Sequence, residues 1–204
     1  MDKIEQILQF WFRGLSDETA VDRKVPPFSL WFAKNDDFDR EIRDTFGADW
    51  EKASRREYRE WEDTPRGRLA LIILFDQFSR NMFRNTPKMF ATDPLALELA
   101  LRSIPEGADI RLQLIERTFA YMPLMHSEEL QVQKLALERF QSLVDEARLK
   151  IPGNVSYYEY SLGYARRHHD IIERFGRFPH RNLVLNRIST PEEIEFLRKP
   201  GSGF

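Results

Sequence analysis

Thr64-Pro65-Arg66-Gly67-Arg68-Leu69-Ala70-Leu71-Ile72-Ile73-Leu74-Phe75-Asp76-Gln77-Phe78 contains the longest apolar run of the chain, Leu69 to Phe75. A hydroxyl residue followed by proline is a helix start, the first as N-cap and the second at the first helical position. Leu69, Ile72, Ile73 and Asp76 then repeat at i, i+3, i+4, i+7, and Leu71, Leu74, Phe75 and Phe78 form a second helical stripe. A helix with apolar residues all round lies inside a fold and not on its surface. Asp76 therefore sits where burial is expected, and a buried carboxylate needs a partner. Arg80, four residues on, shares its face.

Other helical signals surround this one. Ile4, Ile7, Leu8 and Trp11 mark a first helix. Asp36 reads as the cap of a helix that carries Phe38, Ile42 and Phe46 and stops at Gly47, with a separate solvated helix from Asp49 to Trp61. Asp93-Pro94 repeats the cap-then-proline start. Asp109 reads as the cap of a helix ended by Pro123, and Ser127-Glu128-Glu129 as the start of the next. Ser156 with Glu159 reads as a capping box, followed by Tyr157, Tyr160, Tyr164, His168, Ile171 and Phe175 as a core stripe. Gly176 is a C-terminal stop, and Thr190-Pro191-Glu192-Glu193 opens a last short helix. No stretch alternates as a strand does. The class is all-α, about nine or ten helices in a single domain over residues 1–204, with no internal repeat period in the sequence.

Composition narrows the function. The net charge of -2 lacks the basic excess of a nucleic-acid binder. The apolar run is too short to span a bilayer, and the acidic N-terminus lacks a signal-peptide core, so the default is a cytoplasmic protein. There is no Cys, which excludes thiolate catalysis and cysteine metal sites. Arg outnumbers Lys, 23 to 8, and Arg suits forked contacts to carboxylate or phosphate.

Two polar stretches stand out. Phe175-Gly176-Arg177-Phe178-Pro179-His180-Arg181-Asn182 lies in a segment, Arg174 to Arg187, with four Arg and no acid. Asp76-Gln77-Phe78-Ser79-Arg80-Asn81-Met82-Phe83-Arg84 echoes it. Together they read as two walls of one polar site. Its ligand-contacting residues are expected to be Arg80, Asn81, Arg84, His168, Arg177, Arg181 and Asn182. For acid–base chemistry the expected groups are His126, Glu128, His180 and Asp76. A metal is not expected. His126-x-Glu128 at a helix start sends its side chains in different directions, and no His-Glu-x-x-His motif occurs. No Walker or Gly-x-Gly-x-x-Gly loop occurs either, and no cofactor is implied.

With Leu8-x-Phe10-Trp11-Phe12, Tyr121-Met122-Pro123-Leu124-x-His126-Ser127-Glu128 and Thr190-x-x-Glu193 added to those stretches, the chain resembles DUF924, a bacterial family of unknown function. The resemblance covers nearly the whole chain. Ser79 stands where the family often has Pro, and Asn186 where it often has Gly. The resemblance implies a tetratricopeptide-like stack of antiparallel helix pairs. It implies no activity.

Three functional readings follow. The first is a binding protein for a small anionic molecule or an acidic peptide. The second is a metal-independent enzyme in which a histidine acts as acid or base and Asp76 or Glu128 orients it, on a carboxylate- or phosphate-bearing substrate. The third is an interaction scaffold whose polar motifs form an internal ion-pair network, with Asp76 locked to Arg80. A homo-oligomer is compatible with each.

Overall fold

In the computed structural model, which describes residues 2–22 and 24–203, the Thr64 start forms as its spacing predicts. The Thr64 hydroxyl accepts from the Gly67 amide at 3.0 Å. In chain order the α-helices are α1 (Lys3–Phe12), α2 (Phe28–Trp31), α3 (Asp36–Ser54), α4 (Pro65–Ile72), α5 (Ser79–Met82), α6 (Asp93–Ser103), α7 (Leu114–His126), α8 (Leu130–Lys150), α9 (Val155–Phe175) and α10 (Pro191–Leu197). No strand occurs among the described residues, so the chain is all-α.

Helices α4 and α5 are one rod joined by a π-helical segment, Ile73–Phe78. A π turn breaks the ordinary α-helical bonding pattern of its carbonyls. Side chains bond to two of the carbonyls here. The Phe75 carbonyl accepts from Ser79 Oγ at 2.5 Å and Thr92 Oγ1 at 2.7 Å, and the Asp76 carbonyl accepts from Arg80 Nη1 at 2.8 Å. Every residue from Gly67 to Ser79 is buried, as expected of a helix apolar on all sides.

The core around this rod is aromatic. Trp11 of α1 meets Trp31, Phe38, Phe78 and Phe119 at ring-centroid distances of 5.5 to 6.3 Å. The Trp31 indole N–H donates to the Trp11 carbonyl at 3.0 Å, which ties α2 to the end of α1. Helices α7, α8 and α9 pack successively on the other side, with α8 and α9 the most extensive pair.

Several local expectations are corrected. Helix α3 runs through Gly47 to Ser54 and absorbs the first part of the segment assigned to a separate helix, whose end forms a 3-10 turn, Arg59–Asp63. A single glycine costs a helix only about 1 kcal/mol, and Trp50 and Ala53 bury beyond it. Asn35, not Asp36, is its N-cap. Pro123 lies inside α7, whose cap is Gln113 in a box with Glu116; Asp109 instead accepts from the Tyr121 hydroxyl at 2.6 Å. Ser127 ends α7, and α8 starts at Leu130. Ser156 caps nothing: α9 starts one residue earlier, and Glu159 pairs with Arg148. The Thr190–Glu193 box and the left-handed Gly176 stop form as read.

Candidate functional site

The π rod, the end of α7, the face of α9 and the turn after α9 enclose a cavity of about 420 Å³. Gln77, Arg80, Asn81 and Arg84 line one side at i, i+3, i+4, i+7, the spacing of one helix face. His126 enters from the end of α7, Tyr160, Tyr164, Arg167 and His168 from α9, and His180 and Arg181 from the turn. Trp31, Phe32, Met89, Phe90, Met122 and Met125 form an apolar side. The lining holds four arginines and three histidines, and no Asp or Glu.

The acids stand behind the lining. Asp76 is 0% exposed. Its Oδ1 is 2.7 Å from His126 Nδ1 and 3.0 Å from Arg80 Nη1, and its Oδ2 accepts from Gln77 Nε2 at 2.6 Å. Burial alone would raise the Asp76 carboxyl; the Arg80 charge, then His126, outweigh it and hold it below the usual carboxylate range. An ionised Asp76 has only lone pairs to offer, so His126 donates through Nδ1–H. Burial, reinforced by the Arg80 charge, keeps the His126 imidazole below its ordinary pKa against the pull of Asp76. At neutral pH His126 is therefore a neutral ring whose Nε2 carries a lone pair, the form a general base requires.

Arg80 is fully engaged. Besides Asp76 it makes a two-pronged pair with Asp93, at 2.8 and 3.0 Å. Arg84 pairs in the same way with Asp39, at 2.7 and 2.9 Å, and Asn81 donates to that carboxylate at 2.7 Å.

Arg181 is held differently. It is 7% exposed, with its guanidinium between the rings of Phe90 at 4.7 Å and Phe178 at 4.4 Å. One Nη2 bond goes to the His126 carbonyl at 3.0 Å, Nη1 comes no nearer than 3.6 Å to Asp93, and Nε is buried without a hydrogen-bond partner. Burial and the neighbouring Arg80 bring its pKa down to about 10, so it stays charged at pH 7.

His168 is 4% exposed, and its Nδ1 donates to the Tyr164 carbonyl at 2.8 Å. Burial, then the nearby His126, push its pKa down to about 2. His180 is brought down to about 4 by burial and by Arg181. The His126 and His168 ring centres are 5.8 Å apart.

Of the expected residues, Arg80, Asn81, Arg84, His126, His168, His180 and Arg181 line the one cavity, with Asp76 directly behind it. The other three lie apart from it. Arg177 faces outward and pairs with Glu193 at 2.7 Å, which holds that carboxyl down to about 2. Asn182 donates to Ser189 and Glu193. Glu128 orients no histidine: it accepts from Arg187 and from the Phe178 amide at 2.8 Å, tying the turn to the start of α8. Tyr160 and Tyr164, read as core, face the cavity, because the stripe of α9 turns out of the core between Tyr157 and His168. Sequence reasoning missed Arg167, the methionines and Asp93, which had the look of an ordinary helix start. The one group of side chains with metal-ligand spacing among the described residues is His169, Asp170 and Glu173; none of the three lines the cavity. No described helix is long and apolar enough to cross a membrane.

Residues 7–201 match the model of a family described as bacterial protein of unknown function, DUF924. The solved structure of a protein of unknown function from Agrobacterium tumefaciens is similar to the chain at 36% identity, with a TM-score of 0.77, over 95% of this chain and 96% of that one. Among curated proteins nothing matches.

Proposed function

The chain belongs to the DUF924 family, whose name carries no activity, and from its cavity we propose that it binds a small molecule bearing an anionic group. The observation that carries this reading is a 420 Å³ cavity with four arginines and three histidines in its lining and no acid. Pockets of about 300–1,000 Å³ take small organic ligands. Arg181 is the gripping residue. Arg80 and Arg84 each hold a carboxylate through two short bonds, whereas Arg181 comes no nearer than 3.6 Å to Asp93 and has donor capacity left over. An acidic peptide terminus offers the same carboxylate and belongs to the same reading. The tetratricopeptide-like stacking implied by the resemblance would be its scaffold, which the succession of α7, α8 and α9 supports.

A second reading is favoured by the Asp76–His126 bond. A carboxylate that fixes the tautomer of a histidine, with the other ring nitrogen left as a base, is the orienting pair of general acid–base catalysis. The cavity would then turn over the molecule it binds.

The test is a thermal-shift and calorimetric panel of carboxylates, phosphates and short acidic peptides on the wild type, Arg181→Ala and Arg177→Ala. A ligand at about a hundred times its Kd stabilises by roughly 2.7 kcal/mol. Binding lost in Arg181→Ala and kept in Arg177→Ala is the expected result. Binding that survives Arg181→Ala sinks the reading. A ligand consumed by the wild type but only bound by His126→Gln would establish the second.

A further inference from the structure

The cavity has two unlike sides, and this asymmetry bears on what it takes. A site for phosphate or a small polyacid would be polar throughout. Here Trp31, Phe32, Met89, Phe90, Met122 and Met125 face the charged side across one space. Phe90 belongs to both halves: it lines the cavity, lies under the Arg181 guanidinium at 4.7 Å and under that of Arg80 at 5.6 Å. The charged end therefore grades directly into the apolar side.

Resting on the binding reading above, we propose that the ligand is an aromatic carboxylic acid, its carboxylate on Arg181 and its ring against the methionine and aromatic side. The head group follows from Arg181. Two rings clamp its guanidinium, which leaves little motion to lose on binding. The planar fork of a guanidinium matches a carboxylate. The body follows from the opposite side. Methionine sulfur makes favourable contacts at ring edges and adapts to irregular shapes. Aromatic residues meet a ring edge-to-face or in offset stacks, each worth more than its area alone. A flexible acyl chain would fill the same volume but would lose more rotor freedom on ordering.

Phe32 supports this reading on separate grounds. It lines the cavity yet is 59% exposed. Its ring lies parallel to that of Phe119 at 6.5 Å, interplanar angle 3°, so one face has a partner in the core. A ring entering the cavity would cover more of it.

The experiment is isothermal titration calorimetry with six probes: acetate, inorganic phosphate, decanoate, benzoate, 1-naphthoate and 1-naphthamide. They run against the wild type, Arg181→Ala and Phe32→Ser, each checked for a native near-UV spectrum. The expected order is naphthoate tighter than benzoate, both tighter than decanoate, and acetate and phosphate weakest. Naphthoate should lose roughly two- to tenfold in Phe32→Ser, while acetate does not change. Decanoate binding as tightly as naphthoate would overturn the ring and leave an amphipathic anion site. Phosphate or acetate matching naphthoate would overturn this inference and leave the anion reading intact. Naphthamide binding as well as naphthoate would overturn the anion reading itself. Failure of naphthoate to bind, with any other probe bound or none, would overturn the inference.

Discussion

Asp76 and His126, fifty residues apart in sequence, lie 2.7 Å apart at the back of the cavity. The carboxylate is completely buried and is shared between His126, Arg80 and Gln77. The negative charge holds Arg80, and the lone pairs of the ionised carboxylate take the His126 Nδ1–H, so Asp76 fixes both a histidine tautomer and the position of an arginine.

The Asp76→Asn protein keeps the shape of this centre and removes its charge. Arg80 retains Asp93, so the loss falls at the lower end of what breaking a buried pair costs, about 3 kcal/mol. Urea unfolding at pH 7 would show it as a lower midpoint with an unchanged slope. A change below about 0.5 kcal/mol would mean that the charge of Asp76 is not needed for the fold.

Acid should weaken the protein before its carboxylates titrate. His168 and His180 have pKa values lowered to about 2 and about 4 by burial. In the unfolded chain a histidine titrates near 6.5. A group depressed in this way contributes stability above its unfolded pKa and loses it as pH falls, because the unfolded state takes up the proton first. The carboxylates held down, Asp76 and Glu193, act in the same direction but only below their own unfolded values near 4. Below about pH 6.5 stability should therefore begin to drop, with a slope approaching about 1.4 kcal/mol per pH unit for each such histidine. Replacing His168 by Gln should remove one proton's share of that slope. Equal slopes for the two proteins between pH 6.5 and 5 would contradict the assignment.

The turn that carries Arg181 is tied down from outside the cavity. Glu128 accepts from Arg187 at 2.7 and 3.0 Å and from the Phe178 amide at 2.8 Å. Glu128→Gln keeps a carbonyl for the amide but loses the charge that holds Arg187. It should cost about 1.5 kcal/mol, the low end for a hydrogen bond to a charged group at a partly exposed site. It should also weaken any anion bound at Arg181, although no lining residue is substituted. Hydrogen exchange of the 177–190 segment would report the loosening, and unchanged protection there would refute the tether.

What could be read from the sequence, and what could not, follows from the range of the interactions. Helix class, the Thr64 and Thr190 starts and the Gly176 stop are decided by groups within four residues of one another. That the two polar stretches come together was also readable, because charged residues crowd there against apolar neighbours, and residues of both line one cavity. The partners were not readable. That Asp93 serves Arg80 and Arg181, that Arg187 holds Glu128 and that Glu193 draws Arg177 away from the cavity are long-range choices among many acids and arginines. The π turn was equally hidden, since Ile73 to Phe78 has no local sequence mark separating it from ordinary helix. Pro123 misled for the opposite reason: a strong local breaker is overridden inside α7 by burial on all sides.

Two glycines give opposite signs for the same substitution. Gly67 lies in the first turn of α4 against the preceding 3-10 turn, and a Cβ there would run into the backbone carbonyl of Trp61 as well as the Thr64 hydroxyl. Alanine in place of glycine favours a helix by about 1 kcal/mol. Overpacking against a backbone that cannot rotate away costs about 1–3 kcal/mol, and here it meets the residues that start the central rod. The clash outweighs the propensity, and Gly67→Ala should destabilise by about 2 kcal/mol. Gly163 lies within α9, where a Cβ would meet nothing within 4 Å. Propensity acts alone at that position, and Gly163→Ala should stabilise by about 0.5–1 kcal/mol. Parallel urea melts of the two variants decide the matter. Stabilisation by Gly67→Ala would mean that the 3-10 turn Arg59–Asp63 yields to a methyl group, and that the close approach of this turn and the rod is not what holds α4 in place.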